Sequence, residues 1–249
     1  MQASDKIVII PTYNEIENIE KIIRAVFGLE GNYHILIIDD GSPDGTSLKV
    51  KELQHEFPDR LFMIERNGKL GLGKAYIAGF KWSIKHKYDF IFEMDADFSH
   101  NPNDLPRLYD VCANKGGDVA IGSRYVSGVN VVNWPMGRVF MSYFASKYVQ
   151  FITGLPIHDT TAGFKCYRRE VLETINLDKI HFKGYAFQIE MKFVAYKYGF
   201  HIIEVPVIFV NRVAGTSKMN SGIFGEAVFG VIELKLRSLF HKYERKKNE

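Results

Sequence analysis

The sequence predicts an α/β fold in which helices flank a mostly parallel sheet. Short, largely apolar runs at 7–10, 34–38 and 88–94 have the length and composition of buried strands. Stretches with helical spacing of apolar residues separate these runs, and such alternation is typical of parallel sheets. The chain has 249 residues, 46% hydrophobic and 24% charged, which suits a folded globular protein. We expect residues 1–249 to form a single domain.

The first unit is predicted to be a strand, a polar turn and a helix. The strand at 6–10 ends where the turn-forming segment 11–15 begins. Asn14 and Glu17 have the spacing of an N-terminal helix cap. The helix should follow because apolar residues recur with helical spacing at Ile16, Ile19, Ile22, Ile23, Val26 and Phe27.

The following units repeat this order. Strand 34–38 runs directly into 39–46, a segment of turn formers that carries Asp39, Asp40 and Asp44. The elements expected after it are a helix to about 57, a strand near 61–65, a helix at 74–86 and the strand that leads to Asp95.

Ligands of parallel α/β sheets bind beyond the carboxyl ends of the strands. Segments 11–15, 39–46 and 95–97 all follow predicted strands at those ends. The sequence therefore predicts that these three segments converge in one crevice.

A glycine-rich loop precedes the third predicted helix. Residues 68–75 match a phosphate-binding P-loop except at Ala75, which replaces the Ser or Thr whose hydroxyl holds Mg²⁺. Gly71 and Gly73 give only part of a dinucleotide-binding motif, and they follow the third strand rather than the first. We interpret the loop as a helix-entry turn near a bound diphosphate.

The second half is less periodic. A strand at 118–124 ends on Arg124, and an aromatic-rich stretch follows at 139–157. That stretch is too polar to span a bilayer, and its periodicity suits both a core helix and an amphipathic helix on a membrane surface.

The last elements include a loop with two cationic side chains and a long amphipathic helix. A polar turn at 159–165 leads to a strand, and a helical pattern opens at 187–191, where Glu190 is interpreted as a structural acid. After a strand at 202–207, the loop 211–218 carries Arg212 and Lys218. The final helix, about 222–242, is expected to cap the core or to dock on a membrane or a partner, and a basic tail occupies 243–249.

Charge, cysteines and hydropathy limit the function classes. The net charge of +3 and pI of about 8.6 are too small to indicate a nucleic-acid partner. Cys112 and Cys166 have neither metal-ligand spacing nor a disulfide framework. We find neither a secretory signal nor a membrane-spanning stretch. A cytoplasmic protein, soluble or peripheral at a membrane, is expected.

Asp95 and Asp97 lie one residue apart where a buried strand runs out into a loop. Two adjacent carboxylates would repel each other and resist burial unless a cation neutralised them. Carboxylates at such a position are suited to holding Mg²⁺ or Mn²⁺ against the phosphates of a ligand. A lone Asp-x-Asp is more often a solvated turn, but here two other polar segments are expected at the same edge.

Taken together, the motifs resemble the polyprenyl-phosphate (dolichol-phosphate) mannosyltransferases, inverting family-2 glycosyltransferases with the GT-A fold. The resemblance covers roughly 7–218. It rests on Pro-Thr-Tyr-Asn-Glu at 11–15, Asp-Asp-Gly-Ser-Pro-Asp-Gly-Thr at 39–46, Gly-Leu-Gly-Lys-Ala-Tyr at 71–76, Asp-Ala-Asp at 95–97, Gly-Ser-Arg-Tyr at 122–125 and Asn-Trp-Pro at 133–135. It implies transfer of mannose from GDP-mannose to a polyprenyl phosphate, dependent on Mg²⁺ or Mn²⁺, at the cytoplasmic face of a membrane.

The resemblance also implies roles for individual residues. The nucleotide would be framed by Pro11, Tyr13, Glu15, Ile38 and Asp40. The sugar diphosphate and metal would meet Asp95, Ala96 and Asp97, with Arg124, Arg212 and Lys218 on phosphate oxygens. Arg138 and Ser142, with Arg124, would hold the lipid phosphate.

One position departs from the pattern of some relatives. They carry a Gln metal ligand two residues after the second Asp, and Ser99 stands there in this chain. Ser99 is expected to act through water, or Asp97 and the diphosphate hold the metal without it.

Other functions stay open at this point. A relative that uses a sugar hydroxyl as acceptor would need a carboxylate base near the anomeric carbon. UDP-glucose or another nucleotide sugar could replace GDP-mannose as donor. A nucleotide-sugar binding module without catalysis would bind the donor without turnover.

Overall fold

The computed structural model describes residues 4–211 and 221–245. The strands are β1 Lys6–Thr12, β2 His34–Asp39, β3 Leu61–Glu65, β4 Phe90–Glu93, β5 Val119–Ser123, β6 Val131–Val132, β7 Lys165–Arg168, β8 Ile202–Pro206 and β9 Phe209–Val210. The helices are α1 Ile19–Phe27, α2 Thr46–Glu56, α3 Leu72–Lys85, α4 Leu105–Asn114, α5 Met136–Thr153, α6 Arg169–Thr174, α7 Tyr185–Lys197 and α8 Ser221–Leu239.

Seven strands form one sheet in the order β3-β2-β1-β4-β7-β5-β8. Neighbouring strands are parallel except where β7 lies antiparallel between β4 and β5. β6 and β9 form a separate parallel pair. The predicted α/β architecture with a mostly parallel sheet is confirmed, whereas the antiparallel β7, the β6–β9 pair and helix α4 were not anticipated.

The centre of the sheet is buried on both faces, which explains why β1 and β2 are almost continuously apolar. Along β1, Ile7 and Ile9 face one hydrophobic cluster, and Val8 and Ile10 face the other. The first cluster is covered by α3 and α7, and the second by α1, α2 and α4.

The first helix begins later than predicted. α1 starts at Ile19, with Asn18 rather than Asn14 before it, and Ile16 is 39% exposed. Asn14 has a φ of 56°, outside the helical region. The backbone N–H of Glu15 donates to Thr46 Oγ1, and that of Ile16 donates to Asp44. This segment is therefore held by the loop after β2 instead of entering the helix.

Helices α5 and α8 pack side by side and are apolar on both sides. Tyr148 donates its hydroxyl to Val228 O at 2.9 Å, and Val149 of α5 and Val231 of α8 are buried in the core. We call the exposed apolar side chains the outer apolar face: Met136, Phe140, Met141, Phe144 and Phe151 of α5, and Phe229, Ile232, Leu236, Leu239 and Phe240 at α8. α5 thus contacts the core, as one interpretation of 139–157 expects, and also presents an apolar surface, whereas its contact with a membrane stays a prediction.

Within residues 4–211 and 221–245, no helix combines the length and the hydropathy that crossing a bilayer requires.

Part of the predicted basic tail is docked on the protein. Arg245 donates to the carbonyls of Tyr198 and Gly199 at 2.9 and 2.6 Å, and its guanidinium lies 3.7 Å from the Phe200 ring centroid. A cation here satisfies carbonyl groups at the C-terminal end of α7 and complements the helix dipole.

Candidate active site

The loops after β1 and β2 are joined through Asp39, which is completely buried. Thr12 Oγ1 donates to Asp39 at 2.8 Å, and Ser42 donates its N–H and hydroxyl to the same carboxylate at 2.9 and 2.6 Å. Ser42 Oγ in turn accepts the N–H of Asn14 at 3.0 Å. Asp39 therefore holds the loops after β1 and β2 together at this edge of the sheet.

Asp44 makes a second connection between these loops. It accepts the hydroxyl and N–H of Thr46 at 2.6 and 3.0 Å and the N–H of Ile16 at 3.1 Å. Burial acts to raise the pKa of Asp44, but these hydrogen bonds outweigh it and leave the pKa below its ordinary value. The negative charge is thus stabilised by the turn itself.

Asp40, a predicted donor-binding residue, lies between β2 and the glycine loop. Arg66 Nε donates to its Oδ1 at 2.6 Å, and the N–H of Leu70 donates to Oδ2 at 3.3 Å. Both carboxylate oxygens therefore hold the 66–71 segment in place. Arg66 was missed in the sequence, although it directly follows β3 at the same edge as the other strand-end motifs.

The glycine loop enters α3 at Leu72 with Gly71 before it, which agrees with a helix-entry turn. The N–H of Gly73 donates to Lys183 O at 2.8 Å, and a Cβ at Gly73 would lie 2.8 Å from the Phe187 ring. A glycine is needed here because α3 and the segment before α7 approach so closely.

The Asp95–Asp97 loop leaves the carboxyl end of β4. Asp97 is buried and accepts the N–H of Ser99 at 3.1 Å, while Tyr76 Oη lies 3.4 Å from Asp95 Oδ1. The N–H of Asp95 donates to His100 Nδ1 at 3.0 Å. Burial lowers the pKa of His100 to about 4, so the imidazole is neutral near pH 7.

The residues present fit a divalent cation that takes most of its ligands from elsewhere. In the described part of the chain, no group of three or more His, Cys, Asp or Glu side chains could hold a metal ion. Asp95, Asp97 and Ser99 supply hard oxygen atoms from one short loop. Mg²⁺ is typically held by one or two carboxylates, with phosphate oxygens and water completing its coordination.

Arg124, predicted to bind phosphate, is almost fully buried and pairs with Asp159. Its backbone N–H, Nε and Nη2 all donate to that carboxylate, at 3.0, 2.6 and 2.6 Å, and Nη2 also donates to Thr161 at 2.7 Å. Burial acts to raise the pKa of Asp159, but Arg124 outweighs it and keeps the pKa low. The charge of Arg124 is thus largely matched within the protein, and its contact with phosphate stays a prediction.

Arg138 and Ser142 lie four residues apart on α5 and therefore on one face of the helix. The Arg138 guanidinium stacks on Trp134, 3.9 Å from the ring centroid, and Nη1 donates to Asn211 Oδ1 at 3.0 Å. Trp134 also lies 5.4 Å from the Arg124 guanidinium. The structure thus places two of the three predicted acceptor residues, Arg124 and Arg138, against one indole ring.

The other predicted donor residues lie at different depths. Pro11, Tyr13 and Glu15 are half-buried at the end of β1, where Lys69 Nζ is 5.1 Å from the Tyr13 ring centroid. Ile38 and Ala96 are buried. Since the Ile38 side chain belongs to the core, a ligand would have to meet its backbone. The predicted phosphate contacts Arg212 and Lys218 lie outside the described residues.

A buried ionic cluster behind the Asp95–Asp97 loop was also missed. Lys165 Nζ lies 3.0 Å from Glu93 Oε1 and donates to Gln188 Oε1, and Gln188 donates to Glu93 Oε2 at 2.8 Å. Burial lowers the pKa of Lys165, and the neighbouring Glu93 opposes that shift. A glutamate at the end of the apolar run of β4, and a lysine that begins another strand, were the signal that could have suggested this pair.

The fold is that of an α/β protein in which the acidic and glycine-rich loops lie at the carboxyl edge of a mostly parallel sheet, the edge at which ligands of such proteins bind. The model of the family described as "Glycosyl transferase family 2" matches residues 7–175, and the chain belongs to this family. The recognition made from the motifs is confirmed at this level.

Two relatives are similar over most of their length. The chain is 48% identical over 231 residues to the "Polyprenol monophosphomannose synthase" of Mycolicibacterium smegmatis, covering 93% of this chain and 87% of the relative. It is 45% identical over 223 residues to the "Undecaprenyl-phosphate mannosyltransferase" of Micrococcus luteus, covering 90% of each.

Solved structures share the fold at low identity. Glucosyl-3-phosphoglycerate synthase from Mycobacterium tuberculosis, solved with Mn²⁺, UDP and glucosyl-3-phosphoglycerate, superposes with a TM-score of 0.66 at 17% identity, covering 93% of this chain and 79% of that one. The mannosyltransferase PcManGT from Pyrobaculum calidifontis, solved with GDP-Man and Mn²⁺, gives 0.59 at 17% identity, covering 96% and 65%. The predicted GT-A fold is confirmed by these likenesses.

Proposed function

We propose that this protein transfers mannose from GDP-mannose to the phosphate of a polyprenol with inversion at the anomeric carbon, with Mg²⁺ or Mn²⁺ as cofactor. The observation that carries the proposal is the Asp95–Asp97 loop at the end of β4, on the same edge of the sheet as the loops after β1 and β2. The printed names of relatives at 45–48% identity support the sugar and the acceptor.

Asp95 and Asp97 would hold the cation, with Ser99 close enough to contribute directly or through water. When bound, a divalent cation offsets the negative charge that develops on a departing diphosphate. Asp40, fixed by Arg66, and the half-buried Pro11, Tyr13 and Glu15 would orient the nucleotide.

The acceptor phosphate needs orientation and charge pairing more than a base. The second pKa of a phosphate monoester is about 6, so the nucleophile is largely ionised at neutral pH. Arg138 and Ser142 present a cation and a hydroxyl from one face of α5, and their orientation of the acceptor oxygen toward the anomeric carbon gives a single in-line displacement.

Two buried carboxylates, Glu93 directly before the Asp95–Asp97 loop and Asp159 beside Arg124, are already engaged, which disfavours a sugar-hydroxyl acceptor. Glu93 pairs with Lys165, and Asp159 pairs with Arg124. Because a hydroxyl nucleophile requires a base and a phosphate does not, these pairings favour the phosphate.

Access to a lipid acceptor would come from the outer apolar face. Phe151 is 86% and Phe240 90% exposed, and exposed apolar groups in this number mark an interaction surface. We propose that α5 and α8 lie against the cytoplasmic surface of a membrane, so that the protein is peripheral.

The test is a donor and acceptor panel. Purified protein is incubated with GDP-mannose, UDP-glucose and other nucleotide sugars, with and without polyprenyl phosphate and Mn²⁺, and products are identified by mass and anomeric configuration. We expect β-linked mannosyl phospholipid from GDP-mannose when metal is present. Transfer from UDP-glucose instead would overturn the assignment of the donor, and transfer to a sugar hydroxyl would overturn the assignment of the acceptor. Binding without turnover would show that the protein is not an enzyme.

Two variants on α5 test the acceptor assignment. Arg138→Ala should raise the KM for polyprenyl phosphate and leave donor affinity unchanged, whereas Lys147→Ala, which removes an exposed cation from the same helix, should behave like the wild type. A change confined to donor affinity would contradict the role of Arg138.

A further inference from the structure

His100 lies beneath the predicted metal-binding loop and is only 3% exposed. Its Nδ1 is 3.0 Å from the backbone nitrogen of Asp95. Because a backbone N–H can only donate, Nδ1 is the acceptor and the ring proton is on Nε2.

This hydrogen bond closes the loop that carries both acids. It joins Asp95 to the residue five positions later, and Asp97 closes a smaller turn inside it through the N–H of Ser99 at 3.1 Å. Phe98, between these residues, has a φ of 59°, which is unusual for a residue with a side chain. A non-glycine residue in the left-handed region is strained and persists where its surroundings hold it.

The imidazole is itself held between two aromatic rings. It stacks on Phe164 with ring centroids 4.9 Å apart and planes at 10°, and Phe209 meets it edge-on at 5.3 Å and 81°. Phe164 is buried at the end of the loop before β7, and Phe209 belongs to β9. The acceptor nitrogen therefore has a fixed direction, set by elements distant in the sequence from the loop that it closes.

We propose that His100 is a positioning residue that holds Asp95 and Asp97 in the arrangement that binds a divalent cation and a nucleoside diphosphate. The inference rests on the proposed function, because it assigns the metal to these two carboxylates. His100 itself contacts neither ligand. It acts through the backbone of Asp95, and loss of the acceptor nitrogen would release the loop that carries the two carboxylates.

The test compares substitutions that differ in where they place an acceptor atom. Asn in place of His100 puts an amide oxygen near the position of Nδ1. Leu has nearly the shape of Asn and no acceptor. Gln is polar, but its amide reaches toward the position of Nε2 instead. The set therefore distinguishes the effect of losing the hydrogen bond to Asp95 from the effect of losing side-chain packing.

The readout is the dissociation constant of Mn²⁺ measured by calorimetry in the presence of GDP, with the melting temperature of each metal-free variant alongside. Loss of a group that orients a metal ligand typically weakens metal affinity by about 10–100-fold. We expect this loss for His100→Leu and His100→Gln, and a value within about threefold of the wild type for His100→Asn. If the Leu variant does not fold, the Gln variant carries the comparison.

Asp97→Ala is the reference. If this variant loses Mn²⁺–GDP binding while His100→Leu and His100→Gln bind as tightly as His100→Asn, the positioning role is overturned and the proposed function stands. If all His100 variants weaken equally, including Asn, the residue only fills space. If Asp97→Ala binds Mn²⁺–GDP like the wild type, the assignment of the metal fails and the role of His100 fails with it.

Discussion

At the carboxyl edge of the sheet, aspartates in similar sequence surroundings have different partners. Asp39 is enclosed by Thr12 and Ser42, and Asp40 is paired with Arg66. Asp97 accepts a backbone N–H and lies in the same short loop as Asp95. Asp39 holds the loops in place, Asp40 would in addition orient the nucleotide, and the metal site that we propose depends on the last two carboxylates.

Asp97→Ala should therefore remove activity and leave the fold intact. Loss of an electrostatic stabiliser of a leaving group typically costs about 10²–10³ in rate. The measurement is the initial rate of glycolipid formation at saturating Mn²⁺, with circular dichroism to check the fold. Asp178→Ala, which removes an exposed acid that pairs with Lys81, is the control and should retain the wild-type rate. A near wild-type rate for Asp97→Ala would exclude the metal role.

His34 lies far from the crevice and should make the free energy of unfolding depend on pH. It begins β2, and its Nδ1 lies 2.7 Å from the Tyr88 hydroxyl. Burial lowers the pKa of His34 below 6.5, its ordinary value. The unfolded chain therefore binds a proton more readily than the folded one, and the contribution of His34 to stability is lost as pH falls below about 6.5.

We expect the free energy of unfolding in urea to fall from pH 7 to pH 5 and to fall less steeply in His34→Phe. Tyr88→Phe keeps the titrating ring and removes its hydroxyl partner, and should keep most of the pH dependence. An unchanged slope in His34→Phe would show that His34 does not contribute.

Among the helices, α3 and α5 differ in how closely a neighbour approaches their glycines. A Cβ at Gly73 in α3 would lie 2.8 Å from Phe187 and 2.9 Å from the carbonyl of Phe182, whereas a Cβ at Gly137 in α5 would have nothing within 4 Å. These two positions test whether contact with α7, rather than helix propensity, is the reason that a glycine is required at position 73.

Gly73→Ala should destabilise the protein by about 1–3 kcal/mol, the usual cost of overpacking. Gly137→Ala should be neutral or stabilise it by up to about 1 kcal/mol, because alanine loses less backbone entropy than glycine in a helix. Denaturant midpoints measure both changes. Equal midpoints for the two variants would argue against close packing at Gly73.

At the scale of the whole molecule, the crevice lies at one edge of the sheet and α5 links it to the outer apolar face. Arg138 is in the first turn of α5 and stacks on Trp134, whereas Phe151 is near the end of the same helix. One helix thus carries both the predicted phosphate contact and exposed apolar side chains. This arrangement is suited to an acceptor whose head is charged and whose tail stays in a bilayer.

Replacing Phe151 and Phe240 together by Asn should reduce binding to lipid vesicles at least about tenfold, because burying one such side chain contributes about 1.5–3 kcal/mol. The fold should persist, since both side chains are exposed. Co-sedimentation with vesicles measures the effect, and Leu48→Asn, an exposed apolar position on α2, is the matched control. Equal sedimentation of the double variant and the wild type would contradict membrane docking through this face.

The sequence by itself determined the mostly parallel sheet, its helical cover and the position of the acidic loops at the carboxyl ends of the strands. These features follow from short-range patterns: apolar runs, helical spacing, and polar residues that directly follow a strand. The family could also be recognised from the sequence, because each of its motifs is a short continuous segment. The single-domain organisation and the ligand roles of individual residues stay predictions.

Only the tertiary structure decided which charged groups are engaged within the protein and where some elements begin. Arg124 meets Asp159, Glu93 meets Lys165, and the segment before α1 is held by Asp44 and Thr46. Each of these contacts joins residues far apart in the chain, and its energy depends on burial and distance, which no local pattern contains. The hydrogen bond between His100 and Asp95 is local, but Phe164 and Phe209, which enclose the imidazole, come from distant parts of the chain.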